Sequence, residues 1–150
     1  MARTTRSPRR SASRRPSKTS HAEAGPRIVV VDDEPDILNV VVLLLAGDGF
    51  HVSATSSREE AIAMMDGGPV HLVITDLRLA GGDGTDIIKH AAELRPRRPA
   101  IILLTGARVP TESAVAHLIV TLNITVVQKP FDIDYLLDLA RSLTGWPGSA

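Results

Sequence analysis

The sequence predicts an α/β domain, a parallel sheet with helices packed on both of its faces. Three observations lead there. Short runs of apolar and β-branched residues recur five times between Ile28 and Val127, and segments with helical caps and breakers alternate with them. The run Val70-His71-Leu72-Val73-Ile74-Thr75-Asp76 is apolar or β-branched at five of its seven positions and holds no breaker, as a strand buried on both faces requires. Five strands alternating with five helices fold through right-handed βαβ crossovers, which carry helices to both sides of the sheet.

The elements follow in order. Ile28 to Val31 is a short, fully apolar strand, interrupted by Asp32-Asp33-Glu34-Pro35. Pro35 suits the first turn of a helix that runs to about Ala46 and stops at Gly47 and Gly49. The longest apolar run of the chain, Val40 to Ala46, lies in this segment and reads as a buried helix. Phe50 to Ala54 is the second strand. Ser57 and Glu60 form a capping box that opens a helix through Met65, closed by Gly67-Gly68-Pro69.

The third strand, ending at Asp76, leads into a loop with Gly81, Gly82 and Gly84, then a helix from about Gly84 to Leu94 closed by Pro96. Ala100 to Leu104 is the fourth strand, ending at Thr105-Gly106. Pro110 and Thr111 introduce a helix to about Leu122. Ile124 to Val127 is the fifth strand, followed by Gln128-Lys129-Pro130-Phe131. Asp132 caps a last helix whose Ile133, Leu136, Leu137 and Ala140 make one apolar face.

Length and composition bound the answer further. The 150 residues suffice for one domain with its own core, and no apolar run approaches the roughly 20 residues needed to span a bilayer. A cytoplasmic location is expected. The absence of cysteine excludes disulfides and thiolate metal sites. Zero net charge hides a split. Residues 1–27 hold eight Arg or Lys against Glu23 alone, and the remainder holds nine against sixteen acids. Residues 1–26 have almost no large apolar side chains and read as a disordered basic tail, followed by one domain over 27–144 and a short tail over 145–150. Arg9-Arg10 and Arg14-Arg15 are followed by no apolar stretch, so they are no export signal. Contact with nucleic acid is expected, if at all, only through this tail.

In an open parallel sheet, ligands bind at the carboxyl ends of the strands. Those ends carry Asp32-Asp33, Thr55-Ser56, Asp76, Thr105 and Lys129. Three carboxylates in one crevice repel one another by roughly 3 kcal/mol per pair at ~5 Å and an effective dielectric of ~20. Lys129 offsets only part of that. An oxygen-ligated dication, magnesium with manganese as a substitute, completes the set. Asp76 then serves as ligand and nucleophile toward a phosphoryl donor, and Thr105 and Lys129 hold the remaining phosphoryl oxygens. Each part also has a structural reading: an acidic helix start, a strand-end turn, a solvated lysine. The conjunction, in this order, is what carries chemistry. His21, His51, His71, His90 and His117 stand singly at no metal-ligand spacing, and no GxxxxGK[ST] phosphate loop occurs.

The chain resembles a response-regulator receiver domain of two-component signalling, over about Arg27 to Thr144. The resemblance rests on Ile28-Val29-Val30-Val31-Asp32-Asp33-Glu34-Pro35, Thr75-Asp76-Leu77-Arg78-Leu79, Leu103-Leu104-Thr105-Gly106 and Lys129-Pro130-Phe131. It implies a flavodoxin-like (βα)5 three-layer sandwich of strand order 2-1-3-4-5. It also implies phosphoryl transfer from a histidine kinase to Asp76. The metal would be held by Asp33 and Asp76, by Asp32 largely through water, and by the backbone carbonyl of Arg78. A cis peptide between Lys129 and Pro130 is implied as well.

The chain departs from the family at several positions. Val126 stands where the family has a Tyr or Phe that turns inward with the hydroxyl residue. Ala80 replaces a usual proline, so with Gly81 and Gly82 a looser loop is expected, and Asn123-Ile124 replaces a glycine-containing turn. Arg78 and Ala107 occupy positions that tune phosphoryl lifetime in the family.

The expected function is a stand-alone response regulator, a phospho-acceptor and not an enzyme, that signals through a downstream protein or onward phosphotransfer. Two rival readings use the same residues: a docking module that is never phosphorylated, and an aspartyl-phosphate hydrolase. The hydrolase usually has an acid two residues after its nucleophile, where Arg78 stands here.

Overall fold

The computed structural model describes residues 25–79, 82–106 and 108–148. The expectations for the basic tail of residues 1–24, for Ala80, Gly81 and Ala107, and for the last two residues lie outside these.

Five parallel strands form one sheet: β1 (Arg27–Val31), β2 (His51–Thr55), β3 (Leu72–Asp76), β4 (Ala100–Thr105) and β5 (Thr125–Gln128). Their spatial order is 2-1-3-4-5. Five helices alternate with them: α1 (Pro35–Gly47), α2 (Arg58–Asp66), α3 (Thr85–Ala92), α4 (Ala114–Leu122) and α5 (Ile133–Thr144). This is the expected α/β architecture. An additional two-residue antiparallel ladder, Arg78–Leu79 with Gly82–Asp83, folds the loop after β3 back on itself.

Strand side chains alternate between the two faces, and so the core divides in two. Val29, Val31, Val73, Ile101 and Leu103 pack with Ala61 and Met65 of α2 and Ile87, Ile88 and Ala91 of α3. Ile28, Val30, Leu72, Ile74, Ile102 and Leu104 pack with Val41 and Leu45 of α1 and Leu136 and Ala140 of α5. The second layer meets the α1–β2 corner, where Arg141 Nε donates to Asp48 Oδ2 at 2.9 Å and Trp146 Nε1 donates to the Asp48 carbonyl at 2.8 Å.

Several local readings need correction. The run Val40 to Ala46 is helical but not buried throughout: Val41 and Leu45 are, whereas Leu43 is 75% exposed and Val40 44%. A helix of 3.6 residues per turn can turn only one stripe to a sheet, whatever its composition. For the same reason Ile133 is exposed, and Leu136 and Ala140 carry the buried face of α5.

The capping box is half formed. Ser57 Oγ accepts the Glu60 N–H at 3.2 Å, but the Glu60 side chain goes to the Thr55 hydroxyl instead of returning to the Ser57 N–H. Helix α4 starts at Ala114 and not near Pro110, because Ser113 caps it by accepting the Ala116 N–H at 3.1 Å. Asn123 ends that helix in the left-handed region, φ 56°, a conformation Asn tolerates with its short polar side chain. The Lys129–Pro130 peptide is cis, as expected, and so is Arg95–Pro96.

Candidate functional site

The parallel register brings the strand ends level. Val31 stands opposite Thr75, so Asp32 and Asp76 are the next residues on neighbouring strands. Adjacent strands lie about 4.8 Å apart, and ligand oxygens of Asp32, Asp33 and Asp76 fall within 4.8 Å of one another. Asp32 and Asp76 are buried, and Asp33 is exposed at the rim. On the far side, Thr105 of β4 stands opposite Gln128, and the Lys129 N–H donates to the Thr105 carbonyl at 2.8 Å. Thr105 is itself buried. The structure thus gathers Asp32, Asp33, Asp76, Thr105 and Lys129 at one end of the sheet.

Lys129 sits among the acids. Its Nζ is 2.8 Å from Asp32 Oδ2, 2.7 Å from Glu34 Oε1 and 3.0 Å from Asp76 Oδ2. Desolvation alone would lower its pKa, but the three carboxylates around it raise it above the ordinary lysine value, so it stays an ammonium. Asp76 Oδ1 accepts the Arg78 N–H at 3.2 Å, while the Arg78 side chain points to solvent. Both oxygens of Asp76 therefore face a donor.

Asp32 is the least comfortable group in the site. Its Oδ1 accepts the Glu34 N–H at 2.9 Å, but its buried Oδ2 accepts no hydrogen bond among the described residues and meets the ammonium as an ion pair only. Burial holds this carboxyl above the ordinary carboxylate range; Lys129 and the Glu34 N–H pull it down, and the Asp76 charge pushes it further up. An under-satisfied buried carboxylate oxygen beside two further carboxylates is a donor set suited to a hard, oxygen-liganded dication.

Three participants escaped the sequence reading. Glu34 is the N-cap of α1 yet makes no side-chain capping bond, which leaves its carboxylate to cross to Lys129. Its place in the acidic run was the available signal. Thr75 donates its hydroxyl to the Asp76 carbonyl at 3.0 Å, and the Gly84 N–H donates to the Leu77 carbonyl at 2.6 Å. A Cβ on Gly84 would overlap the Asp76 carbonyl oxygen and lie 3.2 Å from Thr75 Oγ1. The loop after β3 thus closes directly over the backbone of Asp76, and only glycine fits there.

The "Response regulator receiver domain" family model matches residues 28–141. Among curated proteins, the transcriptional regulatory protein GlrR of Escherichia coli K12 is 32% identical over 117 residues, which cover 78% of this chain and 25% of that protein. The transcriptional regulatory protein TcrA of Mycobacterium tuberculosis H37Rv is 29% identical over 133 residues, 89% of this chain and 51% of that protein. The chain thus spans about a quarter to a half the length of these relatives. Among solved structures, a CheY-like response regulator receiver domain protein from Methanospirillum hungatei superposes with a TM-score of 0.68 at 24% identity. That match covers 80% of this chain and 94% of the other, and it shows the shared fold.

Proposed function

Because this chain belongs to the response-regulator receiver family, we propose that Asp76 accepts a phosphoryl group from the phosphohistidine of a histidine kinase. The phosphorylated unit then signals through protein–protein contact or onward phosphotransfer. The observation that carries this reading is the placement of Asp76: a buried carboxylate at a strand's carboxyl end, with two more carboxylates in reach and an ammonium 3.0 Å from its Oδ2.

In the proposed step a carboxylate oxygen of Asp76 attacks phosphorus, the P–N bond to the donor imidazole breaks, and its electron pair leaves with the ring nitrogen. Asp32, Asp33, Asp76 and the Arg78 carbonyl are the groups that would hold magnesium. When bound, the ion neutralises charge on the transferring phosphoryl group. Lys129, an ammonium already, pairs with a phosphoryl oxygen once Asp76 carries the acyl phosphate. The Thr105 hydroxyl takes another, and its inward movement biases the segment between β4 and α4. The residue paired with Leu103 on β5 is Val126, so the proposed movement of Thr105 has no aromatic ring at that position to follow it.

Incubation with acetyl phosphate and magnesium tests the reading by intact mass. One added phosphoryl group, absent in Asp76→Asn, is the expected result. No gain in mass would leave the phosphorylation-independent docking module as the better account, and sustained turnover of a phosphomonoester would favour the hydrolase.

A further inference from the structure

Among the described residues five polar side chains are buried: Asp32, Thr55, Thr75, Asp76 and Thr105. Asp32, Asp76 and Thr105 belong to the proposed transfer, and two threonines are left over. Thr55 holds its own corner, where β2 turns into α2. Its hydroxyl donates to Glu60 Oε1 at 2.5 Å and accepts the Ser57 N–H at 3.0 Å.

Thr75 has no corner to hold. It lies within β3, opposite Val31 of β1 and Leu103 of β4, and is 0% exposed. An apolar side chain would suit such a place, and a hydroxyl buried there costs free energy unless its hydrogen bond is used. That bond goes to the Asp76 carbonyl, at 3.0 Å. Gly84 closes over it: a Cβ there would overlap the same carbonyl oxygen and stand 3.2 Å from Thr75 Oγ1.

Asp76 is thus gripped at two points. Its carbonyl accepts the Thr75 hydroxyl, and its Oδ1 accepts the Arg78 N–H at 3.2 Å. One torsion couples the two bonds. Rotation about the Asp76 Cα–C bond swings the carbonyl and carries the following peptides, the Arg78 N–H with them, away from the carboxylate. The sheet restrains this rotation weakly, since the Leu77 N–H reaches the Leu104 carbonyl only at 3.3 Å.

We propose that Thr75 is a positioning residue for phosphoryl transfer. Its hydroxyl fixes the Asp76 peptide, so that the Arg78 N–H holds Oδ1 and Oδ2 is left facing Lys129 Nζ at 3.0 Å. The proposal rests on Asp76 being the acceptor and adds what aims it. A carboxylate free to turn meets a phosphoryl donor in line less often, which lowers the rate without weakening donor binding.

Two pairs of proteins isolate the hydroxyl: the parent against Thr75→Val, and Thr75→Ser against Thr75→Ala. Intact-mass time courses with magnesium and increasing acetyl phosphate give a limiting rate and a half-saturating concentration. The expected result is a limiting rate roughly tenfold lower in the member of each pair without a hydroxyl, at unchanged half-saturation. Amide hydrogen exchange of the metal-free proteins reads the peptide itself. The Arg78 N–H should exchange at least about threefold faster in T75V and T75A, while the amides of β1 and β4 keep the parent's protection. If T75V does not fold, the Ser and Ala variants decide alone. Equal limiting rates within the pairs, or an unmoved Arg78 amide, would overturn the proposal. So would rates that fall only together with the urea midpoint and the protection of β1 and β4, which is the signature of a merely structural hydroxyl. A parent that gains no phosphoryl group would overturn the reading of Asp76 itself, and the proposal with it.

Discussion

Glu34 Oε1 and Lys129 Nζ stand 2.7 Å apart, across the mouth of a crevice in which the same ammonium also holds Asp76. Lys129 cannot give its full charge to a phosphoryl group while three carboxylates share it. Glu34 is the most exposed of the three, so its pair is worth at most about 1 kcal/mol. Glu34→Gln is therefore expected to change stability by less than about 1 kcal/mol and to raise the rate of phosphorylation by acetyl phosphate up to roughly fivefold. Intact-mass time courses measure the rate; a slower variant would mean that Glu34 assists the transfer.

Asp32 sets a pH dependence. Its folded-state pKa lies above the ordinary 3.8, mainly because the carboxylate is desolvated. The folded protein thus holds this proton to higher pH than the unfolded chain does. The penalty is absent below 3.8, grows as pH rises through the raised value, and is fully present above it. In EDTA, the stability difference between Asp32→Asn and the parent should turn increasingly in favour of the variant as pH rises through that window. Urea midpoints read it directly. Magnesium should reverse the order, since at 100 times its Kd a ligand adds about 2.7 kcal/mol to the parent. A variant stabilised as strongly as the parent would remove Asp32 from the metal site.

Gly84 and Gly47 make a matched pair. A methyl group on Gly84 overlaps the Asp76 carbonyl, whereas nothing lies within 4 Å of the same position on Gly47. Gly84→Ala is expected to cost about 1–3 kcal/mol and to slow phosphorylation, because relief of the overlap must move the acceptor's own peptide. Gly47→Ala should be neutral or stabilise by up to about 1 kcal/mol. Denaturation midpoints and phosphorylation rates of the two variants check both; equal behaviour would show that the loop yields without disturbing Asp76.

Much of this was legible from the chain alone because strand ends are punctuated. Apolar runs that stop at Asp32, Asp76 and Thr105 fix both the alternation of elements and the side of the sheet on which the polar groups gather. What escaped is whatever depends on distance between elements. Glu34 could be read only as part of an acidic helix start, because its partner is 95 positions away. Glu60 looked like half of a capping box, but the Thr55 hydroxyl was closer to hand. The exposure of Leu43 could not be inferred from an unbroken apolar run, since that run gives no stripe to orient.

The central claim is that Asp76, and no other carboxylate of the cluster, carries the phosphoryl group. Borohydride reduction of the phosphorylated protein converts an aspartyl phosphate to homoserine, and peptide mass mapping then locates it. The expected result is homoserine at position 76 in the parent and at no position in Asp76→Asn. Homoserine at position 32 or 33, or its absence from a protein that has gained the phosphoryl mass, would contradict the account.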